Sequence, residues 1–323
     1  MMGDHNPDLK SGLDSIFDCI HFNWIPFYSN NKKLQEETVR IYREFQPDIV
    51  FMHLQCGDAI LTNTAQYMTK KSLVFSWTGD VRYPLPNHYI DMGRHITSTL
   101  FTNMNDVEYC IHQGLNSDFL QVGFDKKYFS PLGRTSDIYS DILFMGGNYH
   151  TSPFPLTHLR HDMCLRLKKE FGSTFQIYGN GWNGMQNGLI QNYDEEGTAY
   201  RSCKIAINLS HFAYKRYSSD RMFRILGSGA FCLTHHFPDI EYDFKIGDEL
   251  QVWENLDDLV NKCRWYLNND SERQRIAMNG CYKARTQFTW NHFAENLKTI
   301  ADKYEREQSD RCLGINDAEH HTI

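Results

Sequence analysis

Short apolar runs, each about the length of one buried strand, recur along this chain and are separated by longer stretches with helical spacing. Asp48–Leu54 (D-I-V-F-M-H-L) and Asp141–Met145 (D-I-L-F-M) show this most clearly. An unalternating apolar run fits a strand buried on both faces, and strands interleaved with helices build parallel sheets. Strands are expected at Phe17–Phe22, Asp48–Leu54, Ser72–Trp77, Ser98–Thr102 and Phe119–Val122. A second series follows at Asp141–Met145, Ser173–Tyr178, Ile205–Leu209 and Ala230–Leu233. Helices are expected between them, among them Lys33–Phe45, Thr157–Glu170, Ser219–Leu226, Leu256–Asn268 and Ser271–Gln287.

The two series are divided by a loop, G-F-D-K-K-Y-F-S-P at Gly123–Pro131, and a polar stretch at Gly133–Ser140. The expected fold class is therefore α/β, with two Rossmann-like parallel-sheet domains facing a cleft. The N-terminal domain would span 1–130 and the C-terminal domain 131–290, followed by a helix over 291–308 and a mobile tail over 309–323. A chain of 323 residues with 41% hydrophobic residues can supply a core to each half.

The net charge of −7 argues against a general nucleic-acid binder. Nine scattered cysteines, with no C-x-x-C pair, read as reduced thiols of a cytoplasmic protein. The polar Met1–Lys10 lacks a signal core, and no run approaches the roughly 20 apolar residues of a membrane span.

In parallel sheets, ligands bind beyond the carboxyl ends of the strands, so the loops there are the ones to read. Asp141–Met145 runs into Gly146-Gly147-Asn148, whose backbone N–H groups could meet an anion. Phe175–Tyr178 ends in Gly179-Asn180-Gly181-Trp182, and Ile205–Leu209 leads from Asn208 to Ser210. From Tyr200 to Arg224, six basic residues, Lys215 and Arg221 among them, face Asp220 alone, a local balance of +5. Arg221 and Arg224 fall on one face of a helix start, a good seat for a pyrophosphate, although a solvated helix start fits the same charges. Among the carboxylates of Asp239–Asp258, Glu249 is the candidate ligand residue.

In the first half, Ser72–Trp77 ends in Thr78-Gly79-Asp80-Val81-Arg82. Asp80 is the candidate general base for an acceptor hydroxyl, with an Asx turn as the competing role. His53, Gln55, Asp58, Arg82 and Asn103 would line the same edge. No protein-held metal is expected. His158-x-x-His161 lacks acidic neighbours, His235-His236 would diverge on a strand, and no D-x-D stands in a loop after a strand. Serine-hydrolase and Walker patterns are missing as well.

The stretch Ser219–Thr234 (S-D-R-M-F-R-I-L-G-S-G-A-F-C-L-T) resembles the donor-site segment of GT-B glycosyltransferases, most of all the CgeB-like and phage-encoded branch. Val122-Gly123-Phe124-Asp125, Gly179-x-Gly181-Trp182, Gly247-Asp248-Glu249-Leu250, Trp265-Tyr266-Leu267 and Phe288-Thr289-Trp290 agree in order, over roughly residues 120–305. The first half agrees only through Trp77-x-Gly79-Asp80-x-Arg82. The resemblance implies GT-B architecture and a C-terminal domain that binds a nucleoside diphosphate sugar, expected to be UDP-linked. It also implies an acceptor-binding N-terminal domain and transfer without a protein-bound metal or other cofactor. Phosphates would lie on Arg221, and the base against Tyr178-Gly179. Donor contacts are expected from Gly146, Gly147, Asn148, Tyr178, Gly179, Asn208, Ser210, Lys215, Arg221, Phe223, Arg224 and Glu249. One position departs from the family: Arg224 stands where a glutamate usually follows the phenylalanine, and arginine cannot accept hydrogen bonds from ribose hydroxyls. Two other readings compete with a general sugar transferase. One is a transferase acting on hydroxylated DNA bases; the other is a binding module that kept the fold without the chemistry. The acceptor itself, whether glycan, small molecule, protein or DNA base, is not readable.

Overall fold

The structure, a computed structural model, describes residues 7–54, 56, 57, 59–133, 135, 140–149 and 154–319. The chain divides into two compact units, 1–121 together with 291–323, and 122–290.

The first unit begins with α1 (Pro7–Asp14) and α2 (Asn31–Phe45). It continues β1 (Ile49–His53), α3 (Thr62–Met68), β2 (Leu73–Thr78), α4 (Asn87–Gly93), β3 (Ser98–Phe101), α5 (Met104–His112) and β4 (Ser117–Phe119). The four strands are parallel and adjacent in chain order, β1-β2-β3-β4. β2 is buried along its whole length, as its apolar run requires. The strand expected at Phe17–Phe22 does not form: the segment has no ladder partner among the described residues, and Ile20 is exposed.

The second unit contains β5 (Ser140–Met145), α6 (Thr157–Phe171), β6 (Phe175–Tyr178), α7 (Tyr193–Arg201), β7 (Cys203–Asn208) and α8 (Asp220–Gly227). β8 (Phe231–His235), β9 (Gln251–Trp253), α9 (Leu256–Asn268) and α10 (Asp270–Gln287) complete it. Its strands are all parallel, in the order β6-β5-β7-β8-β9. The chain therefore steps one way from β5 to β6 and then returns to the other side of β5 through β7. That reversal makes a topological switch point between the carboxyl ends of β5 and β7. Phe144, Ile177, Ile207, Leu233 and Trp253 anchor the core beneath it.

The boundary expected at 130/131 lies instead at 121/122, because the connecting loop packs on the second unit. The Phe124 ring lies where any Cβ on Gly227 would fall, and Phe124 N–H donates to Phe288 O (3.2 Å). The last helix, α11 (Trp290–Glu319), belongs to the first unit from Asn291 onward. There Phe293 packs on Trp77 (4.9 Å between ring centroids), while Tyr304 Oη and Lys303 Nζ both hold Asp118, at 2.7 and 2.6 Å. The tail expected to be mobile from Ser309 is helical as far as Glu319. The eight described cysteines are free thiols, and no helix among the described residues is long and apolar enough to cross a membrane.

Gly280, inside α10, faces the backbone of the turn before β9, and a Cβ there would fall 2.0 Å from Glu249 O. Alanine in a helix interior gains about 1 kcal/mol over glycine, but overpacking against a fixed backbone costs about 1–3 kcal/mol. Gly280→Ala should therefore lower the thermal midpoint, which differential scanning calorimetry would read.

Candidate functional site

The switch point of the second sheet gathers two arginines. Arg221, in the first turn of α8, donates from Nη1 to Leu209 O (3.1 Å) and to Asn208 Oδ1 (3.4 Å). Asn208 is fully buried and held by its own amide, which donates to Thr234 Oγ1 (2.9 Å). Arg160, in the first turn of α6, is 1% exposed. It donates to Leu209 O (2.8 Å), Gly147 O (3.1 Å) and His211 Nε2 (2.9 Å). Both guanidiniums lie over the ring of Phe144, at 5.7 Å for Arg160 and 5.4 Å for Arg221. Gly146 has a specific use here: a Cβ on it would come within 3.1 Å of Arg221 Nη2.

Among the described residues, neither guanidinium has a carboxylate within salt-bridge reach, and their acceptors are carbonyls, an amide and an imidazole. Burial, and then the charge of Arg221, push Arg160 down to about 9, so it stays charged at neutral pH. Burial and the same two arginines push His211 down to about 3. His211 is thus neutral and accepts at Nε2, which leaves the proton on Nδ1. That Nδ1, Arg160 Nε and Ser219 Oγ are all buried and unpartnered. A buried cation beside a second, half-buried one, with surplus donors around them, is costly unless an anion completes the group. The starts of α6 and α8 stand beside it and add their positive helix ends.

The glycine loops act differently from the sequence expectation. Gly146 N–H donates to Tyr178 O and Asn148 N–H to Asn180 O, both at 2.8 Å, and Trp182 Nε1–H donates to Gly146 O (2.8 Å). These amides therefore zip the two loops together and are not left for a ligand. Gly179, at φ 143, and Gly181, at φ 83, allow the approach: a Cβ on either would fall within 2.3 Å of a carbonyl oxygen across the gap. Asn148 is buried and meets His161 Nδ1 at 3.0 Å. Tyr178 leans back along its strand, its hydroxyl on Gln176 Oε1 (2.9 Å). Ser210 Oγ accepts from Ser219 N–H (3.2 Å) and fixes the start of α8. Lys215 lies in the β7–α8 connection, in the turn closed by Tyr217 N–H on Tyr214 O (3.1 Å).

Three expected donor residues stand elsewhere. Arg224 binds Asp220 (2.6 Å), Glu196 (3.1 Å) and Tyr193 Oη (3.1 Å), with its guanidinium 4.5 Å from the Tyr193 ring centre. Burial works against its charge, but the two carboxylates more than offset this and raise its pKa. Arg224 is therefore a structural cation already supplied with anions. Phe223 is 1% exposed and packs on Phe288 at 4.9 Å, inside the core. Glu249 precedes β9, at the starting end of a parallel strand, whereas Asn208 and Gly146 follow the finishing ends of theirs. Its carboxylate caps Lys245 N–H (2.8 Å).

In the first unit, Asp80 follows β2 and pairs with Arg82 at 3.1 Å, both about half exposed (51% and 46%). His53 ends β1 with its ring 4.8 Å from that of Trp77. Asn103 uses both ends of its amide on α5, accepting from Asp106 N–H (2.9 Å) and donating to Asp106 Oδ2 (2.8 Å), so it is a helix cap. Gln55 and Asp58 lie outside the described residues.

Arg160 and His211 are the site residues that sequence reasoning missed. The signal that could have found Arg160 is its place in the first turn of the helix after the Gly146-Gly147 loop.

Comparison with known proteins agrees with this architecture. Residues 160–299 match a family model described as glycosyl transferase-like. The fold is similar to sucrose-phosphate synthase from Thermosynechococcus elongatus, with a TM-score of 0.62 at 8% identity over 90% of this chain and 82% of that one. It is similar to a glycosyltransferase from Rickettsia africae, with a TM-score of 0.61 at 12% identity over 89% and 84%. It is also similar to Anabaena HepE, solved in complex with UDP-glucose, with a TM-score of 0.60 at 11% identity over 83% and 82%. No curated protein sequence matches. The fold is the α/β architecture of GT-B glycosyltransferases, with two parallel sheets.

Two predictions follow from these placements. Removing one partner of a buried ion pair costs about 3–5 kcal/mol, so Arg224→Met should lower the unfolding midpoint strongly. It should leave nucleotide affinity nearly unchanged in calorimetry below that midpoint. Asp106, buried beneath the Asn103 cap, is raised by burial from 3.8 to about 6, opposed by its hydrogen bond from Asn103. The folded state holds this proton after the unfolded chain has released it, so the contribution of Asp106 is full at low pH and is lost as pH rises from about 4 to about 6. The stability of the wild type relative to Asp106→Asn should fall across that window and be flat above it. Denaturant melts at several pH values measure it, with an amplitude on the order of 3 kcal/mol.

Proposed function

We propose that the protein is a glycosyltransferase that moves a sugar from a nucleoside diphosphate sugar, UDP-linked, to a hydroxyl group. The observation that carries this reading is the pair of guanidiniums, Arg160 and Arg221, at the switch point of the second sheet, with no carboxylate in reach among the described residues. A departing nucleoside diphosphate gains negative charge as the glycosidic bond breaks, and fixed cations and donors stabilise that charge without reorganising. Arg221 and Arg160 would hold the diphosphate, with the Nδ1–H of His211 and the start of α8 as further donors. The Tyr178-Gly179 turn would take the base. HepE, similar in fold, was solved with UDP-glucose, with UDP and with UDP plus glucose, which supports a UDP-linked donor.

Asp80 is the proposed general base for the acceptor hydroxyl, with His53 and Arg82 near the same strand ends. No metal is assigned to the transfer step, since the arginines supply the countercharge. Affiliation with the CgeB-like branch rests on Ser219–Thr234 and Gly179-x-Gly181-Trp182.

The test has two parts. A thermal-shift panel of nucleoside diphosphates and their sugars should show stabilisation by the uridine compounds; none by any member would refute the donor site. Asp80→Asn should keep that stabilisation and abolish transfer, and retained transfer would remove Asp80 from its role. Stabilisation without hydrolysis or transfer in the wild type would favour the binding-module reading.

A further inference from the structure

Away from the donor site, three side chains of different chemistry meet where the first helix ends. Asp14 is the last residue of α1, and Cys19 and His21 follow on a segment with neither helix nor strand. A carboxylate oxygen, a thiol sulfur and a ring nitrogen, one from each, all lie within 4.8 Å of one another. His21 Nε2 stands 2.6 Å from Asp14 Oδ1. The side chains of His21 and Asp14 are 25% and 51% exposed, so an ion can reach them without unfolding the unit.

We propose that Asp14, Cys19 and His21 form a binding site for a divalent ion of the zinc class, with the fourth position left to water or a ligand. The donor set selects the metal. Thiolate and imidazole favour a borderline ion such as Zn2+, whereas Mg2+ and Ca2+ take oxygen donors. Metal–ligand bonds of about 2.0–2.3 Å in a tetrahedron place ligand atoms about 3.3–3.8 Å apart. The three atoms are already gathered, and the 2.6 Å contact has to open by about 1 Å or less to admit the ion.

The Cys19 thiol releases its proton to solvent, and the proton between His21 Nε2 and Asp14 moves through solvent to Nδ1. Sγ and Nε2 then offer lone pairs to the ion, and Asp14 its carboxylate. The same segment walls an apolar cavity of about 440 Å³, lined in part by Phe17, Ile20, Phe22, Phe45 and Ile49. With few backbone hydrogen bonds of its own, this wall would be fastened to α1 by the ion. The sequence spacing, Asp14-x4-Cys19-x-His21, matches no regular helix or strand period, so it is visible only after folding.

The experiment uses the full chain, stripped with chelator and titrated with Co2+ followed by Zn2+. One Co2+ per chain should give intense visible bands of a low-symmetry four-coordinate ion and a thiolate-to-cobalt charge-transfer band in the near ultraviolet, both bleached by Zn2+. Cys19→Ser should abolish the charge-transfer band. His21→Ala should weaken Co2+ binding by about tenfold or more, because loss of a ligand costs at least as much as loss of a ligand's hydrogen-bond partner. Far-ultraviolet circular dichroism melts of the metal-free variants check that they fold. A wild type without the charge-transfer band, or a folded Cys19→Ser variant that keeps it, would overturn the site and leave the donor-site reading untouched.

Discussion

The second unit is organised around a buried positive charge that meets no carboxylate among the described residues. Arg160 is almost fully enclosed, yet its hydrogen bonds go to two carbonyls and a neutral histidine. Placing a second guanidinium over the same Phe144 ring raises the local potential further. Such an arrangement is unfavourable in the empty site and favourable once an anion arrives, which is how preorganised electrostatics differs from structural ion pairing.

Arg224 supplies the contrast within one helix. It is three residues from Arg221, equally cationic, and saturated by Asp220 and Glu196. Charge alone therefore does not mark a ligand residue. The distinguishing fact is which neighbours the fold delivers: of these two, it is Arg221 that meets the finishing end of β7. The paired glycine loops serve the same end indirectly. Their amides stitch β5 to β6, which fixes Gly147 O as an acceptor for Arg160 and leaves room at Gly146 for Arg221.

Most of the fold was legible in the sequence because parallel strands buried on both faces must be apolar throughout. Asp48–Leu54 and Asp141–Met145 carried that signal, and β1 and β5 lie within a residue of them. Phe17–Phe22 carried a similar composition but found no neighbouring strand, so its apolar residues line a cavity wall instead. Of the candidate site, Asn208 and Ser210 were legible from their place at the end of a strand, and Arg221 from the run of basic charge at a helix start. Glu249 misled because a carboxylate beside a strand looks the same at either end of it. Arg160 and His211 were hidden because burial and the lack of a countercharge are tertiary properties, 51 residues apart in sequence.

Arg160 and Arg221 are proposed to make a diphosphate site in advance of ligand. Isothermal titration of UDP and of uridine into the wild type and Arg221→Ala tests it most directly. The wild type should bind UDP far more tightly than uridine, and most of this preference should disappear in Arg221→Ala. Equal binding of UDP and uridine by the wild type, or an undiminished preference in the variant, would contradict it.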